Sequence, residues 1–170
     1  MKLTRSSYQH KILLICNLWI VPTKDVFHDA VRHALEKEQW TITDDPLFLR
    51  FGGVDMYIDL AAEHLMSAEK NGEKIAIEIK SFIGVSATTE FSTALGQFLK
   101  YQLALEEEQP DCILYLAIPL DAERSFFTLE LPRRLVEKYG VNLIVYEPEE
   151  EAIVKWQNRR VSTNNSRYFN

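Results

Sequence analysis

A chain of 170 residues with 46% hydrophobic and 26% charged residues is long enough for one domain with a buried core and short for two. A formal charge of −6 and a pI near 5.3 exclude attraction of nucleic acid by the overall field, so any DNA contact needs a local basic patch. Cys16 and Cys112 are too few for a disulfide framework and form no CxxC pair, so a reducing, cytoplasmic setting is expected.

In residues 1–21, Lys2, Arg5 and His10 precede the apolar run Ile12–Ile20. The run is broken by Asn17, followed by Val21-Pro22-Thr23 in place of a small-residue cleavage site, and is too short to span a bilayer. It is read as an N-terminal extension outside the core, arising from a mis-assigned start, with Val21 as the true beginning. The domain is expected over residues 22–157, followed by a polar tail over 158–170.

Phe27, Ala30, Val31, Ala34 and Leu35 recur at helical spacing, which predicts an amphipathic helix over Asp25–Glu38 with an acidic first turn at Asp25. On it His28 and His33 are splayed, and none of the four histidines (His10, His28, His33, His64) forms an HExxH pair, so a histidine- or cysteine-based metal site is not expected. Trp40–Thr43 reads as a strand ended by Asp44-Asp45-Pro46. Leu47–Phe51 and Asp55–Ala61 flank Gly52-Gly53 as a hairpin. Ala62–Lys70 is short and helix-tolerant, and Asn71-Gly72 is a turn.

Lys74–Phe82 alternates strictly, with Ile75, Ile77 and Ile79 facing one way and Ala76, Glu78 and Lys80 the other. A long helix follows over Thr88–Glu108, with Phe91, Leu95, Phe98, Gln102 and Leu105 along one stripe. Cys112–Ile118 is continuously apolar, as in a strand covered on both faces. A short helix over Arg133–Tyr139 ends at Gly140, Val141–Tyr146 reads as another buried strand, and Ala152–Trp156 as a last small element. Hairpins first and crossovers later point to an α/β fold, a mixed β-sheet with helices on both faces.

The chemistry centres on Tyr57-Ile58-Asp59-Leu60 and, after a hairpin-length gap, Ile77-Glu78-Ile79-Lys80. Two carboxylates and an amine from neighbouring strands can converge at one point. Magnesium takes one or two carboxylates and completes its shell with water and phosphate, while a lysine can orient the attacking water and stabilise charge in the transition state. Two other readings stand beside this one. Glu78 and Lys80 could line the solvated face of an edge strand, or form a buried ion pair without chemistry.

The segments Lys24-Asp25-Val26-Phe27-His28-Asp29, Tyr57-Ile58-Asp59-Leu60, Ala62-Glu63, Ala68-Glu69-Lys70, Ile77-Glu78-Ile79-Lys80-Ser81-Phe82 and Ala94-Leu95-Gly96-Gln97-Phe98 resemble the XisH family, from about Pro22 to Trp156. That family is named for control of fdxN element excision in cyanobacterial heterocyst differentiation. The resemblance implies a restriction-endonuclease-like fold of the PD-(D/E)xK superfamily, a DNA recombination setting, a small XisI-like partner and an indirect link to the recombinase XisF. It further implies a catalytic set of Asp59, Glu78, Lys80 and Gln97, with Mg²⁺ or Mn²⁺ on Asp59 and Glu78. An acidic first-helix residue would fall on Asp29 or neighbouring His28. Ile58 stands where the motif has proline, and residues 1–20 have no counterpart.

Glu63 and Glu69 could extend the acidic cluster or belong to a charged surface turn. Glu106–Glu108 and Glu149–Glu151 read as solvated runs, and Trp40 and Trp156 as core or rim packing. The implied activities are metal-dependent phosphodiester hydrolysis on DNA or, alternatively, non-catalytic binding of a small partner or the recombinase.

Overall fold

The computed structural model describes residues 25–64 and 72–158. The extension over 1–20, the tail beyond Asn158 and most of the segment before Gly72 lie outside the described residues. Among the described residues four helices and eight strands are formed: α1 (His28–Lys37), β1 (Thr41–Asp44), β2 (Leu47–Phe51), β3 (Val54–Ile58), β4 (Leu60–His64), β5 (Glu73–Ile79), α2 (Ala87–Glu108), β6 (Cys112–Pro119), α3 (Leu120–Ser125), α4 (Glu130–Lys138), β7 (Leu143–Glu147) and β8 (Ala152–Gln157).

Six strands make one mixed sheet in the order β1-β4-β5-β6-β7-β8, and β2-β3 form a separate hairpin. The β5-β6 and β6-β7 pairs are parallel, and the other pairs of the sheet are antiparallel. The parallel pairs are joined by helical crossovers, as their direction requires.

Pleating divides the core in two. Ile75, Ile77, Ile79, Tyr115, Ala117, Ile144 and Tyr146 pack with Val31 and Leu35 of α1. Ala76, Leu114, Leu116, Ile118, Leu143 and Val145 face the other way, against Phe91, Ala94, Phe98 and Tyr101 of α2. Leu47, Leu49, Met56 and Ile58 of the hairpin close the α2 side. Helices therefore cover both faces, and β5 to β7 are apolar on both, as the unbroken run in β6 predicts.

Ser86 caps α2, its Oγ accepting Thr89 N at 3.3 Å, and Pro110 follows the helix end. Gly140, at φ 62, turns the chain from α4 toward β7 in a conformation only glycine adopts cheaply.

Several expectations need correction. The strand expected over Asp55–Ala61 is two strands in two sheets, broken at Asp59. Ala62–His64 continue β4, so the helix-tolerant reading fails for them. Because β5 lies inside the sheet, the solvated-edge reading of Glu78 fails as well. In α2 the buried stripe runs through Ala94, Tyr101 and Ala104, with Leu95 only partly covered and Gln102 half-buried. The helix expected from Arg133 starts at Glu130, and α3, which Pro119 leads into, was not expected.

Candidate functional site

Asp59 stands where the chain leaves the hairpin and enters the main sheet. One step before the pairing of Leu60 with Ile77, it lies across from Glu78, and directly opposed residues of an antiparallel pair share a face. Its Oδ2 accepts the Ile79 backbone N–H at 2.7 Å. That bond fixes the carboxylate beside β5 and satisfies a donor that the strand break would otherwise orphan.

Glu78 belongs to the α2-facing side of β5, and its side chain is 3% exposed. Lys80 Nζ lies 2.9 Å from Glu78 Oε1 and keeps 24% exposure. The Lys80 backbone N–H donates to Ala117 O at 3.0 Å, tying the end of β5 to β6. The pair thus runs from a dry carboxylate outward to a partly wetted ammonium.

Burial, then the charges of Asp59 and Asp25, lift the Glu78 carboxyl to about 7 against the pull of Lys80. Asp59 is also raised, first by burial, although the Ile79 N–H, Lys80 and His28 favour its charged form. Burial opposes the Lys80 ammonium, but Glu78 outweighs it and the pKa of Lys80 rises. Two acids and one cation therefore share a poorly solvated space with negative charge in excess, the condition under which carboxylates titrate near neutrality.

Helix α2 supplies Gln97 and, one turn on, Tyr101. The two side chains are hydrogen-bonded, and burial followed by the Glu78 charge pushes the Tyr101 hydroxyl up to about 12. Gln97 Oε1 is buried with no hydrogen-bond partner among the described residues. Such an acceptor, next to buried carboxylates, is suited to a water or a donor brought by a ligand.

At the start of α1, Asp25 accepts Phe27 N at 3.0 Å through Oδ1 and Ser81 N at 2.9 Å through Oδ2, joining the helix to the exit of β5. His28 is buried, with Nδ1 3.1 Å from Asp29 Oδ1 and Nε2 2.9 Å from Asp45 Oδ1. The Asp29 side chain is 79% exposed.

Asp59, Glu78, Lys80 and Gln97 are thus brought to one region. Of the two first-helix candidates, Asp29 is exposed, while buried His28 acts on Asp59, as does Asp25 one turn before Asp29. Tyr101 was not among the expected catalytic residues, although its spacing of four residues from Gln97 puts both on one helix face. Among the described residues no group of three or more His, Cys, Asp or Glu could hold a metal ion. Asp59 and Glu78 fit only a hard cation that accepts two carboxylates and fills its shell with water and phosphate.

A family model described as XisH protein matches residues 21–154. The chain belongs to the XisH family. Every residue of the site lies within that match. The chain is 46% identical to an XisH family protein from Nostoc punctiforme PCC 73102 over 79% of this chain and 100% of that one, with a TM-score of 0.72. The same figures hold for an fdxN element excision controlling factor protein from Anabaena variabilis. No functionally curated protein matches the chain. Among the described residues of this XisH family member no helix is long and apolar enough to cross a membrane.

Proposed function

We propose that this XisH family member is an fdxN element excision controlling factor with a restriction-endonuclease-like, PD-(D/E)xK centre, acting cytoplasmically in programmed DNA rearrangement in cyanobacteria. Its chemistry is hydrolysis of a phosphodiester with Mg²⁺ or Mn²⁺. One observation carries the reading: Asp59, at the entry to β4, is held beside β5 by the Ile79 N–H, next to buried Glu78 and its partner Lys80, and Glu78 is lifted to about 7.

Asp59 and Glu78 would hold the cation, which when bound supplies Lewis acidity and charge neutralisation. Glu78 sheds its proton readily near neutral pH. Lys80, partly exposed, orients a water or meets a phosphate oxygen. Gln97 and Tyr101 buttress the carboxylates from α2, and the free Gln97 oxygen accepts a hydrogen bond from an incoming water.

The test is incubation of supercoiled and branched DNA with Mg²⁺ or Mn²⁺, beside Glu78→Ala and Lys80→Ala. Metal-dependent cleavage by the unaltered protein, lost in both variants, is expected. Equal background cleavage by all three ends the case.

A second reading, a non-catalytic accessory factor for an XisI-like small protein or the recombinase, is favoured by the −6 charge and by the Lys80–Glu78 pair, which is self-neutralising as it stands. Co-expression that yields a stable complex, together with cleavage indifferent to Glu78→Ala, would select it.

A further inference from the structure

The parallel strands β5, β6 and β7 end side by side, and beyond their carboxyl ends lies a groove of about 370 Å³. Phe27, Phe82, Phe126, Pro119 and Ile83 supply its apolar lining. Asp121, Glu147 and Glu149 also line it, and among the described residues no lysine or arginine does. Neighbouring Glu123 is paired with Lys155; Asp121, Glu147 and Glu149 make no ion pair among the described residues. Beside the groove the chain exposes aliphatic side chains, with Ile83 66% and Val26 64% exposed.

The surface is preformed. Ser81 N is held by Asp25 Oδ2 at 2.9 Å, and Gly84 N by Glu90 Oε1 at 2.6 Å. These two bonds tie the loop after β5 to the start of α1 and to α2. Phe82, in the left-handed region at φ 53, is packed on Phe126 and Phe127 at 6.2 and 5.3 Å between ring centres. A groove held in place by such contacts loses less entropy when filled than a loose one.

Charge decides among occupants. The described lining carries carboxylates and no cation, and such a surface repels phosphate, which disfavours DNA and anionic membranes alike. A second copy bound by two-fold symmetry would set the same acids against each other. The geometry points to a docking groove for a partner protein segment that inserts an aliphatic or aromatic side chain and flanks it with lysine or arginine. The Asp59, Glu78 and Lys80 side chains take no part in this groove, so the inference stands apart from the metal-dependent reading.

The full chain is titrated by fluorescence anisotropy with three labelled peptides: a Leu-Phe core flanked by Lys and Arg, the same core flanked by Glu, and the basic flanks around an Ala core. The first binds tighter than either of the others by about tenfold or more. Ile83→Asp weakens it by a similar factor without changing the circular dichroism spectrum, because the side chain is exposed. The triple change Asp121→Lys, Glu147→Lys, Glu149→Lys transfers preference to the Glu-flanked peptide. Glu78→Ala leaves peptide binding unaltered, which separates failure here from failure of the nuclease reading. Equal binding of the three peptides, or binding of none, overturns the proposal. So does a concentration-dependent dimer, or capture of a short DNA duplex, that Ile83→Asp abolishes.

Discussion

The Lys80 ammonium lies 2.9 Å from Glu78 Oε1, yet Glu78 still titrates at about 7. Desolvation and the Asp59 charge outweigh the ion pair. Burial beside a second acid raises a carboxyl even when a lysine touches it, and a further cation at this place would relieve the excess of negative charge.

That balance makes stability depend on pH. Glu78 moves from an ordinary 4.5 to about 7 in the folded chain, so between these values the folded state keeps a proton that the unfolded state has lost. Its contribution is complete below pH 4.5 and is lost as pH rises through 7, and raised Asp59 acts in the same direction. Thermal unfolding followed by circular dichroism should give a higher Tm at pH 5.5 than at pH 8. Glu78→Gln should flatten the slope and stabilise the protein at pH 8 by on the order of 1–3 kcal/mol. A slope of opposite sign refutes this electrostatic picture.

Asp59 has a structural duty separable from its charge. Asp59→Ala leaves the Ile79 N–H without its acceptor and should cost about 1–3 kcal/mol in urea unfolding. Asp59→Asn keeps an acceptor and should cost less than about 1 kcal/mol. Equal losses in the two variants would show that the hydrogen bond is not what holds the bend.

In the proposed function Gln97 and the Tyr101 hydroxyl act on the carboxylates, while the Tyr101 ring packs in the α2-side core. Gln97→Ala and Tyr101→Phe should each reduce metal-dependent cleavage by roughly 10–100-fold while the urea midpoint barely moves. Loss of stability in parallel with turnover would reassign them to packing.

The α2 side of the core is the larger of the two, and Phe98 is buried at its middle with 1% exposure. Phe98→Ala should cost about 3–5 kcal/mol, read as a lowered urea midpoint. A change below about 1 kcal/mol would mean that α2 is not seated on the sheet as described.

Much of this arrangement was legible residue by residue. Alternation in Ile75–Lys80 put Glu78 and Lys80 on one face because pleating forces it, and the unbroken run in β6 announced a strand covered on both sides. The bend at Asp59 was hidden, since Met56, Ile58 and Leu60 keep strand alternation straight through it and only pairing with two different sheets breaks the strand. Asp25 looked like an ordinary helix-start acid. Its bond to Ser81 joins positions far apart in the chain, and no local pattern reports such a contact. Tyr101 was legible only as a neighbour of Gln97 on one helix face, because its closeness to Glu78 depends on how α2 lies across β5.

The most direct measurement is calorimetric titration of Mn²⁺ at pH 8 into the unaltered protein and into Asp59→Asn and Glu78→Gln. A divalent centre predicts saturable binding to the first and loss of that binding in both variants. Absence of binding to the unaltered protein, or identical binding to all three, would contradict the assignment.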